Sequence, residues 1–166
     1  LEANKLKLGG SFIVRCFDKE GILLWEEKSK NMVMESGLAH ILDCIFSLDS
    51  VVANPNYYVG LIDGDPTIES TDTLALHGGW SEVVSYSQPT RPPYIKLRNE
   101  MTVDNSASLA VFSINASATI GGTFICSASS GTTGLLLSAA AFKTGNKSVT
   151  SGQTLEVVYM FASAST

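Results

Sequence analysis

Charge is scarce in this chain of 166 residues: Asp, Glu, Lys and Arg together make up 16% of it. Eleven basic residues stand against 16 acidic ones, a formal net charge of −5. Phosphate binding rests on clustered Lys and Arg, and the sequence shows no strong cluster, so neither a nucleic-acid coat nor a membrane-surface module is expected. Long apolar runs are missing too, and none approaches the ~20 residues that a membrane-spanning helix needs. The opening LEANKLKLGG lacks the basic start and apolar stretch of a secretory signal. Leu1 stands where an initiator Met would, so a few initial residues are expected to be missing or processed. Cysteine occurs three times, at Cys16, Cys44 and Cys126, with no CxxC pair and no zinc spacing. The expectation is small buried apolar residues in a reducing compartment, with no disulfide. A chain of this length folds as one domain and needs no metal or disulfide staple, since it can bury about two-thirds of its unfolded surface.

The shortage of charge is greatest near the end. Residues 101–166 carry only Asp104, Lys143, Lys147 and Glu156, with Ser, Thr, Ala and Gly filling the remainder. Disorder would require low hydrophobicity or high net charge. Instead the segment is studded with apolar residues such as Leu109, Val111, Phe112, Phe124, Ile125, Leu155, Val157 and Phe161, which reads as packed β-structure. An exterior with so little charge suits a subunit whose flanks other chains cover.

Alternation in Ser11–Phe17, a DKEG turn and ILLWEEK give a hairpin over 11–28. Residues 1–10 are expected to form an N-terminal arm, and 11–166 a single domain. Over about 34–47, Leu38, Ile41, Leu42, Ile45 and Phe46 fall at the i, i+3, i+4, i+7, i+8 spacing of one helix face. That stripe is expected to lie against a sheet as core, with Asn31 or Ser36 as cap and Gly37 kept for close packing. Further strands are expected at 57–62, 82–87, 93–98, 109–114, 118–128, 134–142 and 154–162. Gly121-Gly122 should mark a bulge, residues 67–80 a long loop, and 144–148 and 150–153 turns. Short strands with turn signals between them indicate an all-β protein, a jelly-roll-like β-sandwich with one α-helix packed on it.

Little chemistry is visible. Histidine occurs only at His40 and His77, and no G-x-S-x-G elbow supplies a nucleophile. Asp63, Asp65, Glu69 and Asp72 form an acidic loop, but Pro66 breaks the spacing of a calcium loop and turn-forming carboxylates account for it. The Gly pairs lack the GK[ST] ending of a phosphate loop. No catalytic residue, cofactor or metal is therefore expected. Arg91, between prolines, is suited to anchoring a loop by bidentate bonding to a carboxylate.

The blocks GGSFIVRCFDKEGILLWEE (9–27), KNMVMESGLAHILDCIF (30–46), YYVGLIDG (57–64), DTLALHGGWSEVVSYSQPTRP (72–92) and FKTGNKSVTSGQTLEVVY (142–159) carry a resemblance. Their order resembles a group of virion proteins of short-tailed bacteriophages, capsid cement or decoration proteins with a jelly-roll body. The resemblance implies a non-enzymatic structural protein, made in the host bacterial cytoplasm and located on the capsid surface of the virion. Its expected partners are the major capsid protein and itself, as a dimer or trimer, with neither nucleic acid nor membrane involved. The alternative is a tail or surface module that binds host glycans through exposed aromatics such as Trp80. An enzyme built on loop 63–72 and His77 is the third reading. Leu6, Leu8, Arg91, Tyr94, Lys96 and Arg98 are the expected contact residues.

Overall fold

The computed structural model describes residues 6–46 and 56–165. Among them are thirteen strands and one helix. The strands are β1 (Leu6–Phe17), β2 (Leu23–Lys30), β3 (Met32–Val33), β4 (Tyr57–Asp63), β5 (Glu82–Val83), β6 (Pro93–Tyr94), β7 (Leu97–Asn99), β8 (Thr102–Asp104), β9 (Ala110–Ser113), β10 (Ala118–Cys126), β11 (Leu136–Ala141), β12 (Lys147–Val149) and β13 (Thr154–Ser165). The helix is α1 (Glu35–Phe46).

The strands form two antiparallel sheets. One runs β2-β1-β13-β8-β7 with β9 also on β13; the other runs β3-β11-β10-β4-β5 with β12 on β10 and β6 on β4. The result is an all-β sandwich in which the chain crosses between sheets four times, after β2, β6, β9 and β12. β1 and β13 pair along their whole length, from Leu6↔Ser165 to Phe17↔Thr154. Residues 6–10 of the expected arm are thus sheet, because β13 extends far enough to pair with them; residues 1–5 lie outside the described residues.

Alternation on β1 sends Phe12, Val14 and Cys16 inward, and β13 answers with Leu155, Val157 and Tyr159. Val59 and Leu61 of β4, Phe112 of β9 and Ile125 of β10 complete a core between the sheets. Each such side chain contributes about 1.5–3 kcal/mol by leaving water. Tyr159 is fully buried, and its hydroxyl accepts hydrogen bonds from Asn31 Nδ2 (2.9 Å) and Ser138 Oγ (3.0 Å).

A second core lies on the other face of the β4–β10–β11 sheet. Met34, Ile62, Phe124, Cys126, Leu136 and Ala139 are covered there by Leu74 and Trp80 from the long loop between β4 and β5. From Ile120 to Cys126, β10 is therefore buried throughout. This accounts for part of the scarcity of charge in the final third of the chain: β10 is interior on both sides. The register shift between Ile120 and Gly122 confirms the expected bulge, and a Cβ on Gly121 would run into the Gly64 carbonyl.

The helix lies where the sequence puts it, but its apolar stripe is not core. Leu38, Leu42, Ile45 and Phe46 are 40%, 56%, 58% and 81% exposed, and Gly37 is its only buried residue. The first turn is held tightly. Gly37 packs so closely on the Leu137 carbonyl that a Cβ would clash, and Ser36 Oγ donates to Leu136 O (3.0 Å). Neither expected cap acts: the Glu35 amide donates to Ser70 O (2.9 Å), and Asn31 is engaged at the crossing between sheets. The two- and three-residue strands β3, β8 and β12 also escape the sequence reading, and β12 occupies part of the expected turn 144–148.

Candidate interaction surfaces

Of the residues that suggested catalysis, Asp72 and His77 are tied up in holding a loop. Asp72 is buried, and its Oδ2 accepts from Trp80 Nε1 (2.9 Å) and from the Glu69 amide (3.1 Å). His77 stacks on the Trp80 ring at 3.7 Å between centroids, with Nδ1 3.0 Å from Trp80 O. The acidic loop is thus a clamp that seats Trp80 on Phe124. Among the described residues no three His, Cys, Asp or Glu side chains gather as metal ligands. Trp80 is buried and so presents no face on which a sugar could stack, which removes the aromatic on which the glycan reading relied.

Two of the expected contact residues are interior. Arg91 is 4% exposed: its Nε and Nη2 donate to the two Glu82 oxygens (2.7 and 2.6 Å), and Nη1 and Nη2 donate to Ala128 O and Gly131 O. Burial works against its charge, but the bonds to Glu82 outweigh this and hold its pKa above the ordinary value. The bidentate anchor is as expected; the contact role is not, because satisfying a guanidinium this fully takes it out of reach. Tyr94 is also buried, with its hydroxyl placed to donate to Val103 O and Tyr159 O, and desolvation pushes its pKa far upward. Leu6 opens β1, paired through its backbone with Ser165. Leu8 is half-buried beside an open groove. Lys96 and Arg98 are exposed, with the Lys96 ammonium 5.5 Å from the centre of the Tyr57 ring. They belong to an exposed stretch, Ile95–Met101, that includes the β7–β8 turn and presents Ile95, Leu97 and Met101 to solvent.

Two further surfaces stand out. One is the uncovered stripe of α1. The other is a groove of about 1180 Å³ where β2 ends, rimmed by Lys7, Lys28, Lys30 and Lys143, with no carboxylate among the described residues that line it. The chain leaves the first sheet after Lys30, and Asn31 seals the corner: its amide donates to Gly10 O (3.1 Å), while its Oδ1 accepts from the Gly10 amide. Behind that lining the buried Glu27 carboxylate of β2 holds the segment after β11. It accepts from the Lys143 amide (2.8 Å), the Thr144 amide (3.3 Å), Ser29 Oγ (3.2 Å) and Thr144 Oγ1. Burial alone would raise its pKa, but these bonds win and hold it below the usual carboxylate range. No sequence signal marks the groove, because its lysines lie up to 136 positions apart and only the fold gathers them.

No protein-family model matches this chain, and no curated protein matches it either. No helix among the described residues is long and apolar enough to cross a membrane. Of the three thiols, Cys16 and Cys126 are buried as expected, whereas Cys44 is exposed on α1 with Sγ 3.5 Å from His40 Nε2. All three are free.

Proposed function

We propose that this chain is a non-catalytic structural protein of a bacteriophage virion, a cement protein that sits on the outside of the shell and fastens capsomer junctions. Its partners are copies of itself and the major capsid protein. The observation that carries the reading is the exposed stripe Leu38, Leu42, Ile45 and Phe46 on a helix whose first turn is anchored to β11. A row of apolar side chains left in water is the form an unoccupied protein-binding face takes. The resemblance in the order of sequence blocks supports placing that face against a phage shell. Cementing works by mass action: a protein that binds only the assembled shell stabilises it by RT ln(1 + [L]/Kd) at every site.

The test is reconstitution with shells that lack the protein. The purified chain should bind at a fixed copy ratio and raise resistance of the shells to heat and low salt. Leu42→Glu combined with Ile45→Glu should abolish binding while leaving the free protein folded. Shells that take up no protein, or that resist heat and low salt equally well with and without it, would overturn the proposal.

A further inference from the structure

A slot for one more strand opens in the first sheet. β2 pairs with β1 only from Ser11↔Lys30 to Phe17↔Leu23, whereas β13 pairs with β1 back to Leu6. Once the chain turns away at Asn31, Leu6–Gly9 keeps a partner on one side only among the described residues. The backbone N–H and C=O of Gly10 point to the open side, since both are bonded to Asn31. In an antiparallel ladder these directions alternate residue by residue, so those of Leu8 point into the slot as well.

The walls are suited to an occupant of a definite kind. Alternation places Leu8 on the inner face with Phe12 and Val14, and Lys7 on the outer face with Lys28 and Lys30. Ala141 and Lys143 close the other side. Among the described lining residues are four ammonium groups and no carboxylate, and Glu27 lies behind that lining, turned to the Lys143 and Thr144 amides, so the rim of the slot is basic in a chain of net charge −5. We infer that this slot binds an extended acidic segment of a partner protein, which continues the line of β2 beside Leu6–Gly9. Its acidic side chains would face Lys7, Lys28 and Lys30, and its apolar ones Leu8 and Ala141. Main-chain hydrogen bonds supply affinity in such strand addition, and the alternating side chains supply selectivity. A free anion would use the lysines but leave the strand edge bare, which is why a peptide is favoured. The inference goes beyond the capsid reading and does not depend on it, since its test contains no shell.

The probe is a synthetic peptide of about ten residues alternating Glu and Val, the length of an ordinary strand with a margin, titrated into the full chain at low salt. Binding is expected to weaken as salt rises and to fall by roughly tenfold or more in Lys28→Glu combined with Lys30→Glu, two exposed positions whose change leaves the core intact. The same peptide N-methylated on alternate amides, so that it cannot join a ladder, should fail to bind. The Leu8 amide should exchange readily in the free protein and become protected in the complex. No binding would mean that the lysines only guard an open edge against pairing between copies, and the inference falls. It falls equally if the methylated peptide or an oligonucleotide of like charge binds as well, or if the Leu8 amide is already protected in the free protein.

Discussion

Replacing Glu27 probes how the groove wall is held. Glu27 is 2% exposed and has no cationic partner among the described residues; its carboxylate accepts from two backbone amides and two hydroxyls. A hydrogen bond to a charged acceptor contributes about 1.5–3 kcal/mol against about 1 kcal/mol for a neutral one. In Glu27→Gln the amide oxygen can still accept from the Lys143 and Thr144 amides, and the Thr144 hydroxyl can turn to accept from the new NH2. The loss should then be about 1–2 kcal/mol at pH 7. In Glu27→Ala those donors are orphaned, although Lys143 and Thr144 lie near water, and about 3 kcal/mol should go. For a chain of this size each kcal/mol moves the melting temperature by about 2–4 °C. The expected falls are therefore about 2–8 °C for Gln and about 6–12 °C for Ala.

The pH dependence has a definite sign. The Glu27 pKa is lower in the folded protein than the ordinary value of about 4.3. Its contribution is full above the unfolded pKa and is lost as pH falls through the folded one. Wild type should therefore lose more stability than Glu27→Gln on acidification, and the gap between them should close below about pH 4. Thermal melts followed by circular dichroism from pH 7 to pH 3 measure both curves. A gap that stays constant across this range would refute the argument that the carboxylate is held in its ionised form.

Arg91→Ala should cost about 3–5 kcal/mol, since it leaves Glu82 beside an emptied site without its counter-charge; Arg91→Lys should rescue only part of this in urea unfolding, because an ammonium cannot make the paired bonds. Leu42→Glu and Ile45→Glu should each change stability by no more than about 0.5 kcal/mol, since both side chains are already more than half exposed; a loss above 2 kcal/mol in the same unfolding assay would show that the stripe is core. A thiol reagent should label one cysteine in the native protein, Cys44, and three after denaturation. Cys16 is buried and its pKa is pushed up to about 11 by desolvation and by Asp18, so its labelling in the native state at neutral pH would contradict the fold.

The local features were legible because local rules govern them. The 11–28 hairpin, the limits of α1, the bulge at Gly121-Gly122 and the fork of Arg91 all follow from period, turn chemistry or side-chain shape. The misreadings share a different cause. A 3.6-residue period says that α1 has an apolar face, but not what lies beneath it, so it cannot tell that Leu42 and Ile45 stay outside the core. Ile68, Leu74 and Trp80 fall six residues apart with no periodicity, yet the loop carrying them roofs the second core. The scarcity of charge after residue 100 reads from sequence as a surface that other chains cover, whereas for β10 this roof covers it from within the same chain. Tyr94 looked like surface for the same reason: its hydroxyl bonds to Tyr159 O, 65 positions along the chain.

The central place of β13 also bears on how the protein is made. This strand pairs with β1 on one side and with β8 and β9 on the other, so the first sheet lacks its keystone until residues 154–165 have been synthesised. Until then β1 lacks its neighbour on one edge, and closure of the sheet depends on contacts spanning nearly the whole length of the polypeptide. Such distant pairing slows folding and prolongs exposure of sticky strands. Through most of synthesis the nascent chain thus carries an open strand edge, the kind that pairs with other chains.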